Sequence, residues 1–347
     1  MQRHVAAGVV LAALAGAVAG FALRGHLPLP PPAPPSAAPP SATRTVPAPT
    51  VATGDAPGDA ADDSAPPPAD FDAEVLMYDQ PRLIDDALAT LAPQTPGKVD
   101  LYVIAFAGDG SENVFRNEAE YVARLFDQRF RDTGHVLVLE NHPATVGTRP
   151  LATLTNLIWA LDGIAAKMDP AEDVLLLYLT THGSADHLLL VDLDPLPLDQ
   201  IGPADLADAL HTEPAIRWKV VVVNACYSGG FIDALRDPST MVITSARADR
   251  SSFGCGVDAD ITWFGKAFLA QALNRTTSFH AAFDLARRSI AGWETAEHEE
   301  ASEPQIATAA AIETHLAQWR ARLDAGAAVR FAPPDPARML SPQTSHE

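Results

Sequence analysis

The sequence predicts an α/β fold in which helices cover both faces of a mostly parallel sheet. Short apolar runs occur at 99–106, 174–179 and 220–223, without the polar alternation of a half-exposed strand. Strands of this kind are buried on both faces, as in parallel sheets. The segment 115–130 places apolar residues at helical spacing between two predicted strands. Buried strands that alternate with amphipathic helices are typical of a sheet packed between two helical layers.

The remaining elements continue this alternation along the chain. Further strands are predicted at 136–139 and 241–244, with a last edge strand near Ile306. Helical patterns lie at 150–168, 205–210, 263–273, 279–290 and 312–323. These elements predict one domain over 70–328. The segment 329–347 is rich in proline and polar residues, and we expect a disordered tail there.

The first 27 residues are predicted to be a membrane anchor or a signal peptide. Residues 5–23 form an uncharged apolar stretch, close to the roughly 20 residues that a helix needs to cross a bilayer. This length favours an uncleaved anchor, although 17–19 also fits the small-x-small pattern of signal cleavage. Either interpretation exports the rest of the chain.

The segment 28–69 is rich in proline and alanine and predicts a disordered linker, because it has too few large apolar side chains to bury. The chain carries 24 basic and 44 acidic residues, a formal net charge of −20. An acidic surface of this strength repels phosphate backbones, so nucleic acid is not an expected partner.

Two reactive side chains follow neighbouring strands of the predicted sheet. His182 comes directly after the strand 174–179, and Cys226 follows the strand 220–223. The carboxyl ends of parallel strands share one edge of a sheet, where α/β proteins place their sites. An imidazole beside a thiol can take its proton and create a nucleophile. Gly183 leaves room for a substrate, and its N–H together with that of Cys226 is a candidate oxyanion hole.

The blocks LYLTTHGS and NACYSGG, which contain these two residues, resemble the catalytic motifs of the legumain family of cysteine peptidases. That family is part of the caspase-like group, so the resemblance implies a caspase-like three-layer sandwich. It also implies Cys226 as nucleophile, His182 as general base and Gly183 as an oxyanion ligand. The likeness is closest to bacterial members with an anchor and a proline-rich spacer. It therefore implies the cell envelope, either anchored in the inner membrane with the catalytic domain outside the cytoplasm, or secreted to the periplasm.

The same resemblance implies a pocket for the residue before the cut, lined by Arg116, Ser251 and Ser252. Legumains cut after asparagine, and after aspartate at lower pH. Two acidic family positions are replaced here by Asn224 and Lys266. A pocket with two cations and no carboxylate is expected to accept aspartate at least as readily as asparagine.

No metal site or cofactor is expected, because no Cys/His cluster has zinc spacing and no convincing phosphate-binding loop occurs. The two cysteines, Cys226 and Cys255, are too few for a disulfide framework, and a free thiol is expected at Cys255 in preference to a bond with Cys226. The expected partner is a protein or peptide substrate. Three alternatives stay open: a transpeptidase with the same dyad, an inactive envelope scaffold, and a flavodoxin-like nucleotide binder.

Overall fold

The computed structural model describes residues 71–212, 215–256 and 259–334. The anchor predicted at 1–27 and the linker predicted at 28–69 lie outside these ranges. Within them, no helix combines the length and the apolar character needed to cross a membrane.

The centre of the domain is a six-stranded sheet in the order β2-β1-β3-β4-β5-β6. Its strands are β1 (Leu101–Ala107), β2 (Val136–Glu140), β3 (Val174–Thr180), β4 (Trp218–Asn224), β5 (Thr240–Thr244) and β6 (Gln305–Ala307). The first five strands pair in parallel, and β6 pairs antiparallel with β5 at the edge. Every residue of β1 and β3 is buried, which explains why these strands read as continuous apolar runs.

Helices cover the sheet on both faces. They are α1 (Ala73–Thr90), α2 (Asn113–Gln128), α3 (Leu154–Ala165), α4 (Pro203–Ala209), α5 (Ile232–Leu235), α6 (Trp263–Gly265), α7 (Phe279–Glu297) and α8 (Ala310–Ala321). A 3₁₀ turn over Ser228–Phe231 leads into α5, and α6 continues as a π-helix over Lys266–Ala272.

Alternate residues of each strand belong to different halves of the core. Leu101 and Val103 pack with α2, the π-helix, α7 and α8 on one face. Tyr102 and Ile104 pack with α1, α3 and α4 on the other. This alternation follows from the two-residue period of a strand. The predicted class, an α/β sandwich with a mostly parallel sheet and helices on both faces, is confirmed.

Helix α1 was not among the predicted elements. Its sequence contains Pro81 and exposes Val75 and Tyr78, so its apolar stripe is incomplete. The helix nevertheless begins with a clear cap, because the Asp72 carboxylate accepts hydrogen bonds from the N–H groups of Glu74 and Val75.

The domain continues beyond its predicted end at residue 328, so the tail predicted for 329–347 starts too early. The N–H of Val329 donates to Asn274 Oδ1 at 2.6 Å, and its carbonyl accepts from the Tyr121 hydroxyl at 2.7 Å. The Phe331 ring packs edge-on against Tyr121. Two apolar side chains and a paired backbone hold this segment against α2, although the composition around it is rich in proline.

Candidate active site

The register of β3 and β4 brings His182 and Cys226 to the same edge of the sheet. Thr180 pairs with Asn224, so each reactive residue lies two positions beyond a paired strand end. The N–H of Thr181 donates to the Asn224 carbonyl at 3.2 Å and keeps the two chains together past the sheet. The imidazole and the thiol line one narrow cleft. Its other walls include Phe115, Ser252, Phe253, Cys255 and Thr262.

Gly183 lies directly against the backbone of the cysteine. A Cβ at this position would come within 2.1 Å of the Cys226 carbonyl oxygen, so any larger residue would push the two strand ends apart. In the part of the chain that the structure describes, neither the N–H of Gly183 nor that of Cys226 donates to a protein acceptor. Two such donors beside a thiol are suited to bind a developing oxyanion.

The sulfur of Cys226 is held by the backbone of the segment after β5. The N–H of Ser252 donates to Sγ at 3.2 Å, and Sγ lies 3.6 Å from the Ser252 carbonyl oxygen. An N–H donor is a favourable neighbour for a negatively charged sulfur. Ser252 therefore contacts the site through its main chain, and the neighbouring Ser251 is exposed to solvent beside it.

Two carboxylates that were not among the predicted site residues face the imidazole. His182 Nε2 lies 3.4 Å from Glu112 Oε2 and 3.6 Å from Asp109 Oδ2. The His182 ring packs nearly perpendicular to the Phe115 ring, with 5.0 Å between ring centres. Because Nε2 faces the carboxylates, Nδ1 is the nitrogen left to accept a proton from the thiol. The local signal for these residues was the acidic GDGSEN segment directly after β1.

These three residues are also the cluster that could hold a cation. One oxygen of Asp109, one oxygen of Glu112 and one nitrogen of His182 all lie within 4.8 Å of one another. No metal site was expected from the sequence, since the cluster combines a strand-end histidine with carboxylates from a distant loop. Its donor set is mixed oxygen and nitrogen, which suits several divalent metals without selecting one.

Asn224, predicted as a substrate-binding residue, lines the same cleft, but its amide is hydrogen-bonded within the core. Its Nδ2 group donates to Glu118 Oε1 at 2.6 Å. The same carboxylate accepts hydrogen bonds from the Tyr178 hydroxyl at 2.6 Å and from the Thr262 hydroxyl at 2.7 Å. Complete burial raises the pKa of Glu118, and its hydrogen bonds oppose this rise. A buried carboxylate therefore lies behind the Asn224 amide.

The two cations predicted for the pocket make other contacts in the structure. The Arg116 guanidinium is buried, where it contacts His142 Nδ1 at 3.3 Å and donates to Asn117 Oδ1 at 3.1 Å. Lys266 is exposed, and its ammonium lies 5.0 Å from the centre of the Trp293 ring. Arg116 sits on α2 facing the loop after β2, and Lys266 sits on the outer side of the π-helix. Neither residue lines the cleft beside Cys226.

Cys255 lines the same cleft as Cys226, and both thiols are free. Burial raises the pKa of Cys255 to about 11, with further contributions from the nearby Cys226 and Glu112. A thiol with this pKa is almost wholly protonated at neutral pH, so Cys255 is a poor nucleophile there.

A thiol and an imidazole at adjacent strand ends of an α/β sandwich are the two groups that a cysteine peptidase uses. Comparison with known families agrees with this class. The Peptidase C13 family model matches residues 161–314, a range that includes β3, β4, His182 and Cys226. This match confirms the resemblance to the legumain-like cysteine peptidases.

Among solved structures, the crystal structure of caspase-1 from Spodoptera frugiperda is similar to this chain. The likeness covers 61% of this chain and 87% of that chain, with 16% sequence identity and a TM-score of 0.41. Comparison with curated proteins gives no match.

Proposed function

We propose that the protein is a cysteine endopeptidase that cuts peptide bonds after asparagine or aspartate with a Cys226–His182 dyad. The observation that supports this most strongly is the β3–β4 register, which carries both residues to one cleft. Nothing in this dyad requires a cofactor. The substrate is a protein or peptide, as for any peptidase.

The proposed reaction begins when His182 Nδ1 takes the proton of the Cys226 thiol. The sulfur then attacks the carbonyl carbon of the scissile bond, and the carbonyl oxygen gains negative charge. The N–H groups of Gly183 and Cys226 are the donors available to stabilise this oxyanion. The imidazolium next gives its proton to the leaving amine, and a thioester remains. A water molecule, deprotonated by His182, hydrolyses this thioester and restores the thiol.

The positions of the charged residues change the expected order of substrates. The expectation that aspartate is accepted at least as readily as asparagine depends on Arg116 and Lys266 in the pocket, and neither lines the cleft. Carboxyl groups, in contrast, lie around the cleft: Glu118 behind the Asn224 amide, and Asp109 and Glu112 beside His182. A carboxylate disfavours a second carboxylate nearby. We therefore place asparagine ahead of aspartate.

For the rest of the chain, we propose that the N-terminal apolar segment exports the domain to the cell envelope. Support comes from the uncharged residues 5–23 and the proline-rich segment that follows them. The domain would then act outside the cytoplasm, anchored or secreted. Fractionation of cells that express the full chain tests this proposal, since recovery in the cytosolic fraction contradicts it.

The test of the peptidase is a cleavage profile. The full chain, under reducing conditions, is incubated with a diverse peptide mixture, and the cut sites are read by mass spectrometry. Cys226→Ala is the test variant, and Cys255→Ala is the matched control from the same cleft. We expect cuts after asparagine, and fewer after aspartate, that vanish in Cys226→Ala and persist in Cys255→Ala.

Other results would redirect the assignment. Joined peptides in place of hydrolysed ones would indicate a transpeptidase that uses the same thioester. Identical silent profiles for the wild type and Cys226→Ala between pH 5 and 8 would contradict the peptidase and favour an inactive scaffold.

A further inference from the structure

We propose that Asp109 and Glu112 position the His182 imidazole and complete the dyad as a cysteine–histidine–carboxylate set. This inference rests on the proposed roles of Cys226 and His182. It concerns two residues that come from the segment after β1, on the opposite side of β3 from the cysteine.

Asp109 is fixed before any substrate arrives. Its side chain is 1% exposed, and its Oδ1 accepts hydrogen bonds from the N–H and the hydroxyl of Ser111 at 2.8 and 2.7 Å. The backbone on either side is tied to Asp192 by two hydrogen bonds, from the N–H of Gly110 and to the carbonyl of Gly108. These contacts use one carboxylate oxygen and leave the other, Oδ2, aimed at His182 Nε2.

Glu112 gives an independent indication. Its Oε2 atom is buried and has no hydrogen-bond partner among the described residues, although it lies 3.4 Å from His182 Nε2. A buried carboxylate oxygen without a donor carries a large free-energy penalty. The donor within reach is the Nε2–H group of the imidazole. This oxygen therefore has one clear use, which is to bind that group.

The consequence for His182 is a fixed tautomer. A proton held at Nε2 by the carboxylates leaves the lone pair at Nδ1 to accept the thiol proton. After this transfer the ring is positively charged, and the same carboxylates stabilise it. The separations of 3.4 and 3.6 Å are longer than an ordinary hydrogen bond, so we expect them to shorten in the substrate complex.

The charged and titratable groups around this ring are few. Asp109 and Glu112 face it from the segment after β1, Cys226 from the end of β4, and Cys255 from the segment that closes the cleft. The two carboxylates are close to the imidazole, so their removal disfavours the imidazolium–thiolate pair. A higher pH is then needed to ionise Cys226.

The test uses the full chain with three substitutions: Asp109→Asn, Glu112→Gln and the two combined. Glu120→Gln is the matched control, because Glu120 is a partly exposed carboxylate on α2 that pairs with Arg149 away from the cleft. Two quantities are measured in buffer with EDTA. One is the kcat and KM on an asparagine peptide. The other is the rate of Cys226 alkylation by iodoacetamide between pH 4 and 9, read by mass spectrometry.

We expect the combined variant to lose kcat by about 10²-fold or more, with KM within about twofold of the wild type. The midpoint of Cys226 alkylation is expected to move upward by about one pH unit. The Glu120→Gln control should match the wild type in its kinetic constants and in its alkylation midpoint. If the combined variant does not fold, Glu112→Gln alone gives the same test, with smaller expected changes in kcat and in the alkylation midpoint. Glu112 lies at the start of α2.

An unchanged kcat and an unchanged alkylation midpoint in the folded variants would overturn the proposal. Alkylation does not depend on peptide cleavage, so the two proposals fail separately. If the wild type cuts no peptide but the midpoint still moves in the variants, the positioning role stands and the peptidase assignment falls. If EDTA alone lowers the kcat of the wild type to that of the variants, the cluster holds a cation and the positioning role is wrong.

Discussion

One carboxylate lies beneath Cys226 and two lie beside His182, and the two places differ in how fully the carboxylate oxygens are hydrogen-bonded. Beneath Cys226, Glu118 accepts hydrogen bonds from Tyr178, Asn224 and Thr262, and no oxygen is left without a donor. Beside His182, Glu112 has a buried oxygen with no partner among the described residues.

This difference distinguishes a carboxylate that stabilises the fold from carboxylates that are suited to take part in a reaction. A fully satisfied buried network fixes the positions of the strands and has no free atom to offer a substrate. An unsatisfied carboxylate oxygen that faces a histidine is suited to a proton or a positive charge that appears during a reaction. Loss of the first group should therefore reduce stability, whereas loss of the second should reduce turnover.

The largest effect on turnover is expected at the dyad itself. Cys226→Ala should abolish cleavage, and His182→Ala should lower kcat by about 10²- to 10⁴-fold because the thiol loses its base. Both variants should unfold at temperatures within a few degrees of the wild type. Cleavage assays and thermal melts measure these outcomes. Residual full activity in Cys226→Ala would mean that the nucleophile lies elsewhere.

The largest effect on stability is expected at Glu118. Glu118→Ala removes the acceptor of the buried Tyr178 and Thr262 hydroxyls and one of the acceptors of the Asn224 amide, so we expect a loss of about 3–5 kcal/mol in the free energy of unfolding. Glu120→Ala, two residues along the same helix, removes a partly exposed ion pair with Arg149 and should cost less than about 1 kcal/mol. Urea denaturation compares the two. Equal losses would contradict the structural role of the network.

Another buried carboxylate, Glu140, gives a pH test. Burial, together with the nearby Glu120, raises the pKa of Glu140 to about 7. The folded-state pKa exceeds the unfolded value, so protonated Glu140 contributes stability that is fully present below about pH 4.5. This contribution is lost as the pH rises from about 4.5 to 7. This loss is about 3 kcal/mol for a shift of this size. Unfolding free energies at pH 5 and pH 8 should therefore differ less in Glu140→Gln than in the wild type, and an equal difference would contradict the shift.

The smallest effect is expected at Lys266. Its ammonium packs over Trp293 and does not line the cleft, so Lys266→Ala should leave the ratio of asparagine to aspartate cleavage unchanged within about twofold. The cleavage profile used for the wild type measures this ratio. A selective loss of aspartate cleavage would show that Lys266 reaches the bound substrate, as the sequence predicts.

The features that could be predicted from the sequence depend on residues that lie close together in the chain. The apolar runs of β3 and β4 mark buried strands, and His182 and Cys226 follow them directly in the chain. Parallel pairing then brings the two together, since the carboxyl ends of the strands share an edge.

The features that sequence did not predict depend on distant contacts or on an incomplete pattern. Glu118 reaches Asn224 across the face of the sheet, and Glu112 reaches His182 from the segment after β1. Arg116 was assigned to the pocket by resemblance, but on α2 its side chain faces His142 instead. Helix α1 was missed because Pro81 and exposed apolar residues interrupt its stripe.

The most direct test of the central claim is to trap the acyl-enzyme. The full chain is mixed briefly with an activated ester of an asparagine-terminated peptide, quenched in acid, digested, and analysed by mass spectrometry. The proposed mechanism predicts a thioester on Cys226 that is absent from Cys255 and accumulates more slowly in His182→Ala. An adduct on Cys255, or equal rates of labelling in the wild type and His182→Ala, would contradict the dyad.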